Sequence, residues 1–188
     1  MNIAITQRVI DFRNGPYDSL DHGFYEMFSG HTLHPIPNHL EHYNTESIVN
    51  SDLVVFTGGN SMMSNNWQYN ENRLRVEKHT FELAKLYGKP ILAISRGCQF
   101  LTISLGGTIA NNGRHKEDHS VYYNGSEIKV CRHEEVLSSI PHGATCLATD
   151  SQGYCESWKL DNMLAVLWHP ERMKTHWLPY EAYGILGL

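Results

Sequence analysis

The sequence predicts a three-layer α/β fold, with a mostly parallel central sheet, helices on both faces and a small antiparallel extension. Three neighbouring stretches carry this prediction. SDLVVFTGGN (51–60) is almost continuously apolar and ends in glycines, which is typical of a strand buried on both faces. ENRLRVEKHTFELAKLYGK (71–89) has helical spacing and a glycine stop, and PILAIS (90–95) is a second buried strand. Strand, helix and strand in this order imply a right-handed parallel crossover.

The remaining elements follow from the same signals. NIAITQRV (2–9) alternates as a strand does, and residues 18–28 predict a helix with Asp18 or Ser19 as N-cap and with Tyr25 and Phe28 facing inward. HTLHPIP (31–37) predicts a short strand.

After the second buried strand, QFLTISLGG (99–107) predicts a short helix that ends at glycines. The next segments, 120–133, 143–150 and 153–159, are β-rich, and the first contains an Asn-Gly turn, so we expect them to form the antiparallel extension. NMLAVLWHPER (162–172) predicts a buried strand that ends in a polar tip, and 179–188 a terminal helix.

Bulk properties restrict the function. A chain of 188 residues can bury one sizeable core, so we expect a single domain over 1–188. The net charge of −5 argues against a nucleic-acid partner, and neither a signal peptide nor a membrane span is predicted. The four cysteines lack CxxC spacing, which argues against a disulfide scaffold and favours a reducing cytoplasm.

The stretch KPILAISRGCQF (89–100) contains two candidate nucleophiles. A nucleophile elbow needs small residues two positions either side of its nucleophile. Ser95 has Ala93 and Gly97 there, whereas Cys98 has Arg96 and Phe100. The pattern therefore selects position 95 and indicates that Cys98 is a small core residue. A strand-end turn without chemistry is the alternative, because such five-residue patterns are common.

Two further motifs favour catalysis. FTGGN (56–60) can turn a backbone N–H towards the elbow, and with the N–H of Arg96 it would form an oxyanion hole, although strand-end glycines usually only make turns. LWHPE (167–171) places His169 and Glu171 two residues apart. On an extended chain both would face one side, so that Glu171 could orient the imidazole.

These motifs, in this order and at these separations, resemble the class I glutamine amidotransferase fold, and TQR (6–8) with RGCQ (96–99) resembles its γ-glutamyl hydrolase branch. The resemblance implies hydrolysis of a γ-glutamyl amide through a covalent intermediate, without a cofactor or a metal. It also implies a role for each matching residue: Ser95, His169 and Glu171 as the catalytic triad, Gly59 and Arg96 as oxyanion donors, and Gly58 and Gln99 as substrate contacts.

The chain departs from the family pattern at two places. The family nucleophile is a cysteine, whose thiolate forms far more readily than an alkoxide. The simplest explanation of Ser95 is a Cys→Ser replacement that holds substrate without turnover; a natural serine hydrolase is the alternative. The family's Asn-Ser-x-His-His loop is matched only loosely by VCRHEEV (130–136), in which His133 is the candidate substrate contact.

The sequence says less about the leaving group of the substrate than about the reaction. The whole chain resembles the γ-glutamyl-CDP-amidate hydrolases of bacterial capsule phosphoramidate synthesis, which implies a nucleotide-linked γ-glutamyl substrate. Candidate phosphate ligands are Arg73, Arg75, Arg96 and Arg132, although all could be ordinary surface or helix-face charges. A general γ-glutamyl-amine hydrolase, a glutaminase subunit serving a partner synthase, and a non-catalytic binding protein are the alternatives.

Two polar segments remain. HKEDH (115–119) has ligand-like spacing for zinc but no evident third ligand nearby, so we expect a solvated loop. The polar insertion over residues 60–72 carries Trp67 and Tyr69 and is predicted to be an exposed lid over the leaving group, or a surface loop.

Overall fold

A computed structural model of the chain describes residues 1–13, 15–60, 62, 67–111, 117–130, 133 and 135–187, with side chains omitted for 67–70. Thirteen strands lie in the described part of the chain: β1 Asn2–Thr6, β2 Arg8–Phe12, β3 Gly15–Ser19, β4 Thr32–Ile36, β5 Leu53–Phe56, β6 Ile91–Ile94, β7 Thr108–Asn111, β8 His119–Tyr123, β9 Ser126–Val130, β10 Glu135–Ser139, β11 Thr145–Asp150, β12 Cys155–Leu160 and β13 Met163–Val166. The described part of the chain also contains five helices: α1 Gly23–Met27, α2 Glu46–Val49, α3 Trp67–Leu86, α4 Arg96–Ser104 and α5 Glu181–Leu186. Two 3-10 turns cover Leu40–His42 and Pro170–Arg172.

A nine-stranded sheet runs through the molecule in the order β4-β1-β5-β6-β13-β12-β11-β8-β9. The first five strands are parallel, and the last four continue the same sheet with antiparallel pairing. The predicted α/β fold with an antiparallel extension is therefore confirmed. The carboxyl ends of β5, β6 and β13 meet at one edge, where polar loops follow three apolar strands.

The two faces of this sheet are covered by different helices. On one face α3 and α4 pack through Phe81, Ala84 and Phe100 against the sheet. On the other face Phe28, next to α1, and Leu186 of α5 pack against Leu92, Leu164 and their neighbours. Because both faces are covered, the central strands are apolar on both sides, which explains the continuous apolar runs in the sequence.

The predicted helix over 18–28 is wrong at its amino end. Asp18 lies in β3, which forms a hairpin with β2, and its carboxylate accepts hydrogen bonds from the backbone N–H and the side-chain amide of Asn38. Helix α1 begins only at Gly23, whose N–H donates to Asp21. Tyr25 is 54% exposed rather than inward-facing, and Phe24 takes its place in the core beside Phe28.

The polar insertion is shorter than predicted. Helix α3 begins at Trp67, so part of the segment assigned to a lid is helical. Residues 61 and 63–66, and the side chains of Trp67 and Tyr69, lie outside the described set, and the lid stays a prediction.

A disulfide joins Cys146 of β11 to Cys155 of β12. Cysteine spacing did not predict this bridge, because the two residues become neighbours only when the strands pair. Cys98 is a free, buried thiol, and Cys131 lies outside the described residues. Among the described residues, no helix combines the length and apolar character that a membrane-spanning segment needs.

Candidate active site

Ser95 occupies a strained turn between β6 and α4. Its backbone has φ 52° and ψ −110°, a conformation that residues with a Cβ rarely adopt and that is typical of a nucleophile elbow. The turn is held by a hydrogen bond from Ser95 N–H to Val166 O at 2.8 Å, which links it to β13. Gly97 has no room for a side chain, because a Cβ there would collide with the carbonyl group of Phe56. The small residue at position 97 is therefore required by packing.

Cys98 cannot act in its place. The thiol is fully buried on the core face of α4, and burial raises its pKa far above the ordinary value, against the hydrogen bonds of Thr102 and Trp158 that lower it. A thiol held in the neutral form is a poor nucleophile.

His169 and Glu171 form a buried pair just beyond the end of β13. The Nδ1 of His169 lies 2.7 Å from Oε1 of Glu171. The two residues are not on an extended strand as predicted: Glu171 lies in the 3-10 turn Pro170–Arg172, and the tight turn brings the carboxylate back to the ring. A carboxylate only accepts hydrogen bonds, so Nδ1 carries the proton and Nε2 is left as the basic nitrogen.

Gly58 brings the elbow and the histidine together. A Cβ at this position would collide with Cε1 of His169 and would lie 3.1 Å from Cβ of Ser95. The loop that follows β5 thus lies against both side chains at a distance that only glycine allows. Ser95, His169 and Glu171 are in this way assembled at the edge where β5, β6 and β13 end.

The predicted oxyanion donors are Gly59, which follows Gly58, and Arg96, which follows Ser95. Gly59 has φ +82°, so its peptide is turned in a direction that glycine adopts readily. Arg96 is the first residue of α4, and the N–H groups of a first helical turn point out of the helix end. This geometry is compatible with the predicted donor pair, whose role remains a prediction.

Gln99 and His133 belong to one polar cluster behind the elbow. The side-chain amide of Gln99 donates to Oε2 of Glu135 at 3.1 Å, and its Oε1 is buried without a hydrogen-bond partner among the described residues. His133 has both ring nitrogens engaged, with Glu135 O at 2.9 Å and with Oε2 of Glu156 at 2.7 Å. Gln99 is thus the better placed of the two to contact a substrate, and His133 supports the wall behind it.

Comparison with known proteins identifies a matching family. The family model "Glutamine amidotransferase class-I" matches residues 8–179.

The chain belongs to the class-I glutamine amidotransferase family.

Among its relatives, the GMP synthase [glutamine-hydrolyzing] of Lactobacillus delbrueckii subsp. bulgaricus is 32% identical over 108 residues, which is 51% of this chain but 19% of that protein. The chain therefore spans about a fifth of the length of that curated relative.

Two solved structures share the fold. A protein from Thermoplasma acidophilum, described as a GMP synthase subunit, has a TM-score of 0.67 at 18% identity, covering 91% of this chain and 85% of that one. A glutamine amidotransferase from Thermotoga maritima has a TM-score of 0.66 at 18% identity, covering 97% and 81%.

Within this amidotransferase fold, two arginines support the glycine loop and do not face a ligand. Arg73 donates to Thr57 O at 2.8 Å and Gly59 O at 2.9 Å, and pairs with Glu77 at 2.8 Å. Arg96 pairs with the other oxygen of Glu77 at 3.0 Å and donates to Asn60 O at 2.6 Å. Burial lowers the pKa of Arg73 to about 10, against the effect of Glu77, so it stays charged at neutral pH.

The prediction that Arg73 and Arg96 bind phosphate is therefore wrong. Both guanidinium groups are buried, and both donate to Glu77 and to carbonyl groups of the loop, as a buried charge requires. Arg75 is exposed on α3, and Arg132 lies outside the described residues.

Arg8 is the site cation that sequence reasoning missed. Its half-buried side chain packs against Gly59, where an added Cβ would lie 2.9 Å from Cδ of Arg8. Its Nε is buried and has no hydrogen-bond partner in the described part of the chain. The same side chain lines a small cleft with Asp21, Gly58 and Arg172. The sequence signal was present, since Arg8 ends the TQR motif, but nothing local shows that β2 folds back over the glycine loop.

Proposed function

We propose that the chain is a γ-glutamyl amidohydrolase whose nucleophile position is Ser95. The observation that carries the proposal is Gly58, which allows the strained Ser95 turn and the His169–Glu171 pair to meet. Membership of the class-I glutamine amidotransferase family supports amide cleavage as the reaction type.

The proposed chemistry uses only side chains and backbone of this chain. The nucleophile at position 95 attacks the γ-carbonyl, and Nε2 of His169 takes its proton and then delivers it to the leaving nitrogen. Glu171 holds the tautomer and stabilises the imidazolium. Water, activated by the same ring, then releases glutamate. N–H groups of Gly59 and Arg96 stabilise the developing oxyanion. A serine hydroxyl is much harder to ionise than a thiol, so this Ser95 chain binds substrate and turns it over slowly at most.

We further propose that the leaving group carries phosphate, with γ-glutamyl-CDP-amidate as the best candidate and cytidine diphosphoramidate as the product. Arg8 supports this assignment, because its aliphatic stem packs against Gly59, next to the glycine that approaches Ser95, and its Nε carries an N–H that no described residue accepts. A guanidinium donates two hydrogen bonds at once to phosphate oxygens.

A second candidate is glutamine hydrolysis that supplies ammonia to a partner synthase. The similarity to the GMP synthase of Lactobacillus delbrueckii favours it, since the name of that protein states that it hydrolyses glutamine. A free-standing hydrolase would cleave its substrate alone, whereas a glutaminase subunit would cleave glutamine efficiently only with its partner.

The test of the reaction is Ser95→Cys. We expect this change to raise turnover of at least one γ-glutamyl compound by about 100-fold or more, because His169 can ionise a thiol at neutral pH. Glutamate release is measured with glutamine, a γ-glutamyl amine and γ-glutamyl-CDP-amidate, and Cys98→Ala in the same background should leave activity intact. If the cysteine form is no faster than the serine form with every compound, the nucleophile assignment is wrong.

The test of the leaving group is binding to the Ser95 protein. Calorimetric titration should show γ-glutamyl-CDP-amidate binding at least tenfold more tightly than glutamine, with affinity that weakens as salt rises. Arg8→Ala should remove most of the difference, whereas the exposed Arg75→Ala should not. Equal affinity for the two ligands would exclude the nucleotide and leave a general γ-glutamyl hydrolase.

A further inference from the structure

Three potential metal ligands from distant parts of the chain meet behind the elbow. His119 begins β8, His133 precedes β10, and Glu156 lies on β12. One ligand atom from each lies within 4.8 Å of the other two. His119 is the last residue of the HKEDH segment, which has ligand-like spacing but no third ligand in the sequence; His115 lies outside the described residues. The fold thus brings His133 and Glu156 to His119, a grouping that the sequence alone did not predict.

The orientation of His133 suits metal binding. Its Nδ1 lies 2.9 Å from the carbonyl oxygen of Glu135, which can only accept, so Nδ1 carries a proton. In the neutral ring, Nε2 then presents a lone pair, and it faces Oε2 of Glu156 at 2.7 Å. A lone pair and a carboxylate oxygen repel each other, so a cation, either a proton or a metal ion, must lie between them. A carbonyl that fixes the far nitrogen is the usual support of a metal-binding histidine.

His119, the third ligand, lies at a distance from Glu156 that suits a bound zinc ion. Nε2 of His119 is 3.7 Å from the same oxygen of Glu156, and the two imidazole rings meet edge to face at 4.9 Å. Zinc bonds to nitrogen and oxygen of about 2.0–2.2 Å in a tetrahedron put ligand atoms about 3.3–3.5 Å apart. The observed 2.7 and 3.7 Å lie on either side of this value, and the remaining separation is within 4.8 Å, so side-chain shifts of about 1 Å would accommodate the ion.

We propose that His119, His133 and Glu156 form a binding site for a zinc-type divalent cation, with a fourth position open to water. The ion ties β8 and β12 to the segment that enters β10, behind the Gln99–Glu135 hydrogen bond. Two imidazoles and one carboxylate favour Zn²⁺ or Co²⁺ over Mg²⁺ or Ca²⁺, which prefer oxygen ligands. None of the three residues is part of the Ser95–His169–Glu171 group, and His133 would hold the ion rather than contact the substrate.

The test is titration of the untagged protein, freed of metal by chelator, with Zn²⁺ alone and Co²⁺ alone. We expect one ion per chain with a dissociation constant below about 1 µM, tetrahedral Co²⁺ absorption bands and a raised Tm. Calorimetry in two buffers of different ionisation enthalpy should detect release of a proton, because the metal displaces the one that bridges His133 and Glu156.

Variants identify the site. His119→Ala and the isosteric Glu156→Gln should each weaken Zn²⁺ binding at least tenfold, whereas His142→Ala, an exposed histidine in a turn, should bind as the parent does. Absence of a stoichiometric site in the parent protein would overturn the proposal, as would equal affinity of the parent and His119→Ala. In either case the cluster is a buried imidazolium–carboxylate pair.

Discussion

Gly58→Ala should lower turnover by about 100-fold while leaving the protein folded. The added Cβ would lie 3.1 Å from Nδ1 of His169 and from Cβ of Ser95, and closer still to Cε1 of the ring. Restoring the ordinary contact distance of about 3.5–4.0 Å between the added Cβ and the ring requires one of them to shift by about 1 Å. The loop itself cannot yield easily, because Arg73 holds the carbonyl groups of Thr57 and Gly59 on both sides of Gly58. The imidazole must therefore move away from the nucleophile.

A displacement of this size costs about 100-fold in turnover, and overpacking costs about 1–3 kcal/mol of stability. The assay is glutamate release in the Ser95→Cys background, together with urea unfolding. The matched control is Gly184→Ala in α5, where a Cβ meets nothing within 4 Å and the helix gains about 0.5–1 kcal/mol. Activity of Gly58→Ala within threefold of its parent would show that the close approach of loop and histidine is not needed for the reaction.

Three further predictions concern stability. Glu77→Gln should lower the free energy of unfolding by about 3–5 kcal/mol, since it leaves two buried guanidinium groups without their carboxylate. The matched change at an exposed position, Glu82→Gln, should cost less than about 1 kcal/mol. Equal costs of the two changes in urea unfolding would refute the buried pairing. Cys146→Ser, measured against the oxidised parent, should cost about 2.5 kcal/mol because the bridge to Cys155 closes a loop with a sequence separation of 9; an unchanged unfolding midpoint would argue against the bridge. Burial opposes ionisation of Asp21, but the N–H of Gly23 and the Arg172 guanidinium outweigh it and lower the pKa of the carboxyl below its ordinary value. The stabilisation is therefore complete above about pH 5 and is lost as the pH falls through the lowered pKa. The Tm difference between the parent and Asp21→Asn should shrink between about pH 5 and 3, and a constant difference would contradict the lowered pKa.

Local patterns predicted the parts of the site that depend on the backbone. The elbow at Ser95 could be predicted from the sequence because small residues at 93 and 97 are a local steric requirement, and Gly97 indeed faces the Phe56 carbonyl. The buried strands were readable because a strand covered on both faces must be apolar throughout. The pairing of His169 with Glu171 was predicted from the wrong backbone conformation, since a turn and not an extended strand brings the two side chains together.

Side-chain partners were not predictable in the same way. Arg73 and Glu77 are four residues apart in the predicted helix, so this pair could have been predicted, but nothing local shows that Arg96 reaches the same carboxylate. Arg8 looks like the end of a strand, and its position over Gly59 depends on the β2–β3 hairpin. The hairpin was missed because Asp18 and Ser19, which are good helix caps, take part in strand pairing instead.

Glu77 serves two arginines that reach it from different elements, and this has a consequence for evolution. Arg73 donates to the glycine loop and Arg96 continues the nucleophile turn, so loss of Glu77 leaves two buried guanidinium groups without a counter-charge, whereas loss of either arginine leaves the other one paired. A lineage that exchanges Glu77 before the arginines therefore passes through a poorly folded intermediate. In homologous chains, Glu77 should be retained wherever both arginines are retained, even where the residues that contact the leaving group have diverged.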